Sequence, residues 1–172
     1  MRKILIALAL AFVAFPVLAQ TRQQLDDCNS SSATDDATIA GCTALINSGR
    51  YSGHNLSAVY NNRSAGYIGK KEWDMVIADA NTAIQLDSTN AESYIDRCAA
   101  YIGKALYNQA ISDCTQAIAL KSNDSRAYYN RAGAYEQAGS RDQAITDYRT
   151  AAQLNPTNTD AQNALKRLGA TN

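Results

Sequence analysis

The sequence predicts an all-α fold, a helical-repeat solenoid of antiparallel helix pairs, and three observations carry that prediction. First, one phrase is written repeatedly: Tyr67-Ile68-Gly69-Lys70 returns unchanged as Tyr101-Ile102-Gly103-Lys104, 34 residues later. Second, apolar residues within each copy are spaced 3 and 4 apart, as Tyr94, Cys98 and Tyr101 are, and then Ala110, Cys114, Ala117 and Leu120, which is helical spacing. Third, short polar runs, Ser88-Thr89-Asn90 and Ser122-Asn123-Asp124, fall at the joints, where their side chains can accept from the free amides that open the next helix. The bulk composition agrees: 172 residues with 46% hydrophobic and 19% charged side chains are those of a folded globular chain.

From the N-terminus, Met1-Arg2-Lys3 is a basic start, Ile4 to Phe15 is unbroken apolar sequence, and Val17-Leu18-Ala19 follows Pro16 as a small-residue cleavage pattern. Residues 1–19 therefore read as a secretory signal peptide. The apolar stretch is short of the roughly 20 residues a bilayer span needs, so no stable membrane insertion is expected once the leader is cleaved. Residues 20–56 form an atypical N-terminal capping hairpin: Ile39, Cys42, Leu45 and Ile46 align with Ile111, Cys114, Ala117 and Ile118 of a second helix, and 22–27 supplies a shorter partner. Asn47-Ser48-Gly49 closes that second helix, and Arg50 to Asn55 is expected to be a connecting loop. The echoes then place three repeats at 57–90, 91–124 and 125–158. Each is a helix–turn–helix that cannot bury its apolar face alone, so the three must stack on a shared core. The final stretch, 159–172, carries Ala161, Ala164, Leu165 and Leu168 on one side and reads as a C-terminal capping helix.

Charge removes several function classes. Sixteen basic and sixteen acidic side chains give zero net charge, and loss of Arg2 and Lys3 with the leader leaves the remainder weakly acidic. That is not the basic face a nucleic-acid partner needs. The single His, His54, has no Cys or His at ligand spacing and is given no role, so no metal is expected. No nucleophile–base arrangement, no paired carboxylates and no phosphate-cradling glycine loop can be assembled, so no catalytic residue, no cofactor and no enzymatic activity are expected.

The repeated units resemble the tetratricopeptide repeat family. Its opening aromatic is Tyr60, Tyr94 and Tyr128; its small residue is Ser64, Cys98 and Ala132; its Tyr is Tyr67, Tyr101 and Tyr135. In the second helix its Ala is Val76, Ala110 and Ala144, and its Phe is Ala80, Cys114 and Tyr148. Two slots depart from the pattern: Arg63, Arg97 and Arg131 stand where it has Leu, and the closing Pro appears only at Pro156. The resemblance is specific for fold and uninformative about the partner, since repeats of this kind serve many ligands.

Four cysteines in an exported chain invite a disulfide reading, with three pairings open. Cys98 and Cys114 sit symmetrically about the turn of one hairpin, and Cys28 and Cys42 likewise about the capping hairpin, which favours these two pairs over buried free thiols or a redox-active pair. Arg63, Arg97 and Arg131 recur with Asp79, Asp113 and Asp147 sixteen residues on, so a ladder of Arg–Asp contacts within or between repeats is expected. The tyrosines at 60, 67, 94, 101, 128 and 135 are expected in the core.

The resemblance implies a concave groove lined by first helices. Its slots here are Ala58, Asn61, Asn62, Ala65 and Ile68, then Glu92, Ile95, Asp96, Ala99 and Ile102, then Arg126, Tyr129, Asn130, Gly133 and Glu136. Members that clamp a peptide's C-terminal carboxylate use Lys, Arg and Asn in such slots; Asn61, Ala65 and Asp96 break that set, and no such clamp is expected. A binding strip of Asn61, Ile68, Ile95, Ile102, Arg126, Tyr129 and Asn130 is expected, its apolar members exposed. The expected function is an exported adaptor or assembly factor, periplasmic or secreted, that binds a protein or peptide. The alternative is a structural protein whose repeats self-associate end to end.

Overall fold

The computed structural model describes residues 22–157 and 159–170; the expected leader lies outside the described residues. Among them the secondary structure is helical: α1 (22–29), α2 (Asp35–Asn47), α3 (Gly53–Gly69), α4 (Trp73–Leu86), α5 (Ala91–Gly103), α6 (Tyr107–Leu120), α7 (Ser125–Gln137), α8 (Arg141–Leu154) and α9 (Thr159–Arg167). No helix among the described residues is long and apolar enough to cross a membrane.

Local chemistry sets the ends. The Asn90 and Asp124 side chains accept from the amides of Glu92 and Arg126, opening α5 and α7. The turn that closes each first helix is the same three times: Glu72 N–H bonds to the Tyr67 carbonyl at 2.9 Å, Leu106 to Tyr101 at 2.8 Å, and Ser140 to Tyr135 at 2.8 Å. This six-to-one closure requires a left-handed residue just before the donor. Lys71 (φ +58°), Ala105 (φ +57°) and Gly139 (φ +81°) supply it, so two of the three turns place a side chain where glycine is favoured.

The loop after α2 is shorter than the sequence suggests. Residues 53–55, expected as loop, belong to α3, which starts ahead of the register of α5 and α7. Contacts with the end of α4 hold this extra turn: His54 meets the Asp87 carboxylate, and buried Ser57 donates to the Ala83 carbonyl at 3.0 Å.

Packing is tight because the facing residues are small. Val76, Ala80 and Ala83 on α4, Ala110, Cys114 and Ala117 on α6, and Ala144 on α8 are fully buried. Cys28 is joined to Cys42 and Cys98 to Cys114, with Cα separations of 4.7 and 5.6 Å. Each second helix packs on its own partner and on the first helix of the next pair. First helices also touch the next first helix, α3 with α5 and α5 with α7, whereas second helices make no comparable contact with one another. The stack therefore curves with α3, α5 and α7 on its inner side.

The Arg–Asp ladder bonds both within and between pairs. Arg63, Arg97 and Arg131 each grip their Asp with two nitrogens at 2.7–2.9 Å across the hairpin. The remaining nitrogen donates to the preceding second helix, to Thr43 (3.0 Å), Asn81 (2.6 Å) and Thr115 (3.1 Å) respectively. The tyrosine stripe joins this ladder to the core: Tyr67 is a core residue, and Tyr94, Tyr101, Tyr128 and Tyr135 pack against core clusters. Tyr67 alone of the six is buried; the other five are half-buried. The rings at i−3 and i+4 flank each guanidinium, 5.4 to 6.0 Å from it. Helical spacing puts both rings beside the Arg.

Candidate functional site

α3, α5 and α7 touch in succession along the inner side of the stack, and the groove residues expected from sequence are carried by these three helices. The structure distributes their roles unevenly. On α3, the Asn61 side-chain Oδ1 accepts from Ser93 Oγ at 2.7 Å, tying α3 to α5. Asn62 donates to Asn29 at 2.9 Å. Ala65 is exposed, and Ile68 is half-buried against Tyr67, Val76 and Ala100.

On α5, Ile95 departs from expectation. It is 4% exposed and packs with Ala117 and Ala127, so it is core and not a docking side chain. The cause is the close approach of α5 to α7, in which Ala127 leaves room for the larger residue to insert. Ile102 is half-buried on the cluster around the Cys98–Cys114 bridge. The expected exposed apolar strip is thus absent as such: Ile68, Ile102 and Tyr129 each show only part of their surface.

On α7, Arg126 is fully engaged. Its guanidinium meets both Glu92 carboxylate oxygens at 2.7 Å and Asp124 at 2.7 Å, bridging α5 and α7. Burial opposes ionisation of Asp124, but hydrogen bonds from Arg126 and Lys121 prevail and hold its carboxyl at about 2. Tyr129 meets the Tyr148 ring at 5.5 Å. Asn130 is half-buried and makes no hydrogen bond among the described residues. Glu136 accepts from Tyr148 at 3.0 Å and from Arg167 of α9, and the Arg167 contact holds its carboxyl below the usual range.

Asp96 is the unusual member. It is 8% exposed, its Oδ2 is buried, and that oxygen has no hydrogen-bond partner; the same holds for Ser64 Oγ on α3, which neighbours it. Burial pushes the Asp96 carboxyl up to about 7, with Glu92 adding to the rise and Ser64 and Arg126 opposing it. Sequence placed Asp96 in the groove but carried no sign that it would be buried without a partner. Sequence reasoning did not single out Ser93 or Ser64 as the buried hydroxyls beside Asn61 and Asp96; the small-residue slot of Ser64 was the available signal. Among the described residues no group of three or more His, Cys, Asp or Glu is placed to hold a metal ion.

Together, stacked antiparallel pairs, a curved inner face of first helices and a recurring Tyr–Arg–Tyr element define a helical-repeat scaffold protein. The sequence model of the tetratricopeptide repeat family matches residues 125–158. The TPR domain of Arabidopsis OM64 is 31% identical, with a TM-score of 0.65, over 67% of this chain and 95% of that one. The chain belongs to the tetratricopeptide repeat family. The second TPR domain of human RPAP3, solved with the HSP70 peptide SGPTIEEVD, is 28% identical with a TM-score of 0.63, over 69% of this chain and 100% of that one. MamA from Desulfovibrio magneticus RS-1 shares the fold, with a TM-score of 0.72 at 13% identity over 88% of this chain and 82% of that one. Comparison with curated proteins finds no match.

Proposed function

We propose that this chain is an exported interaction module, without catalysis of its own, that holds an extended segment or helix of a partner protein across α3, α5 and α7. The observation that carries this reading is the succession of three touching first helices on the inner side, in a fold whose 28%-identical relative was solved with a peptide. Exposed Ala65, half-buried Ala99 and Gly133, and the free amide of Asn130 leave room and hydrogen-bonding capacity along it.

The ligand differs in chemistry from the acidic peptide of that relative. A carboxylate-rich tail needs free cations, and Arg126 is committed to Glu92 and Asp124 while Asp96 offers a carboxyl in place of a cation. Export is supported by the leader pattern of residues 1–19 and by two buried disulfides, which persist in oxidising compartments such as the periplasm or the cell exterior.

Photo-crosslinking tests the face. A photoreactive residue at Ala65 or Ala99 should trap a partner, and one at exposed Ser112 or Thr146 on the second helices should not. Trapping only from the second helices, or only of a further copy of the chain, would reject the reading. Export is checked by N-terminal sequencing of protein recovered outside the cytoplasm. A start at Gln20 is expected, and a start at Met1 would reject cleavage.

A further inference from the structure

One groove slot recurs at 34-residue spacing and holds Asn62, Asp96 and Asn130. The flanking two are neutral amides, while the middle one is a carboxyl whose buried Oδ2 makes no hydrogen bond of ordinary length, the neighbouring Ser64 hydroxyl being its nearest donor. The other two groove carboxylates are already answered, Glu92 by Arg126 and Glu136 by Arg167. Arg126 is held by Glu92 and Asp124 and makes no hydrogen bond to Asp96. Folding does not account for a carboxyl in this place. Burying it without an ion pair is unfavourable, and the asparagine found in both flanking pairs would fill the slot without that cost. An unfavourably buried carboxyl kept on a candidate binding face points to a ligand that favours its charged form.

We propose that Asp96 is the acceptor for a cationic side chain, a lysine or arginine of an extended partner segment lying across α3, α5 and α7. The proposal rests on the concave-face reading above and adds the charge of the ligand to it. Charge complementarity selects this occupant: Asp96 is the groove carboxyl that forms no ion pair with a cation of the chain's own, Arg126 acting on it only without contact. Ala99, one turn further along α5, and exposed Ala65 on α3 are short, which leaves room for the apolar stem of a long side chain whose charged end meets the carboxyl.

Immobilised pools of short random peptides, with one central position fixed as Lys, Arg, Met or Glu, provide the test. The full oxidised chain is compared with Asp96→Asn and with Ala65→Trp, which fills the inner face; circular dichroism checks that each is folded. The parent should retain the Lys and Arg pools about tenfold or more over the Met and Glu pools. Asp96→Asn should still bind but lose that preference, and Ala65→Trp should lose all pools. Retention without a basic preference, a preference for Glu, or a basic preference that survives in Asp96→Asn would overturn the proposal while leaving the concave face intact. Pools retained equally by Ala65→Trp, or none retained by the parent, would overturn the concave-face reading and the proposal with it.

Discussion

Asp96 shows how one side chain can couple stability to pH. Its carboxyl, ordinarily at 3.8, is raised to about 7 by burial, so the folded state holds a proton more tightly than the unfolded chain does. The stability this confers is complete below about pH 4 and is lost as pH rises through 7, by about 1.4 kcal/mol per pH unit at most. Glu92, Arg126 and Ser64 are the groups facing it, and none changes that sign. Asp96→Asn should therefore raise the unfolding midpoint at pH 7.5 and flatten the stability curve between pH 4 and 7. Urea titrations across that range would show it, and an unchanged slope would mean that the carboxyl titrates normally. Backbone conformation gives a second residue-scale test. Ala105 and Gly139 occupy equivalent left-handed positions. Ala105→Gly should stabilise the fold by about 1 kcal/mol and Gly139→Ala should destabilise it by a similar amount, both read by chemical denaturation.

At the scale of the helix pair, the Arg–Asp–Tyr element replaces what the family pattern fills with an apolar residue. Asp113 is 7% exposed and depends on Arg97 for its two hydrogen bonds. Arg97→Leu should thus cost about 3 kcal/mol, because it leaves the carboxylate buried without a partner. The double variant Arg97→Leu/Asp113→Leu should recover much of that loss, and a double-mutant cycle by denaturation measures the coupling. Both variants should keep partner binding, since Arg97 lies outside the concave slots. Sequence made this element partly legible. The sixteen-residue spacing of Arg and Asp announced the contact, but the enclosing rings and the third bond to Thr43, Asn81 or Thr115 depend on where neighbouring helices pack.

Across the whole molecule, the two disulfides do different work. Cys98–Cys114 lies inside a helix pair already held on both sides, whereas Cys28 is the one buried residue of α1. Each closes a loop of about 15 residues, worth roughly 3 kcal/mol in the chain-entropy description. Reduction should lower the unfolding midpoint and expose α1 first. Hydrogen exchange of residues 22–29 should become fast in reductant while α5 to α8 remain protected. Equal loss of protection along the chain would instead mean that the stack opens as one unit.

Helix pairing, register and the turns of the three repeats were legible in the sequence, though the start of α3 was not. They follow from side-chain spacing within one pair and from caps a few residues long, and both are local. What docking surface the pairs leave open was not legible. Ile95, Ile68 and Ile102 look alike in sequence, yet Ile95 is buried because Ala127 of the next pair admits it. Arg126 reads as a free groove cation until Glu92 and Asp124 are seen to hold it. Asp96 reads as a polar groove residue until its oxygen is found buried and unanswered. Each of these outcomes depends on how closely successive first helices approach, which small residues far apart in the chain decide together once the pairs are stacked.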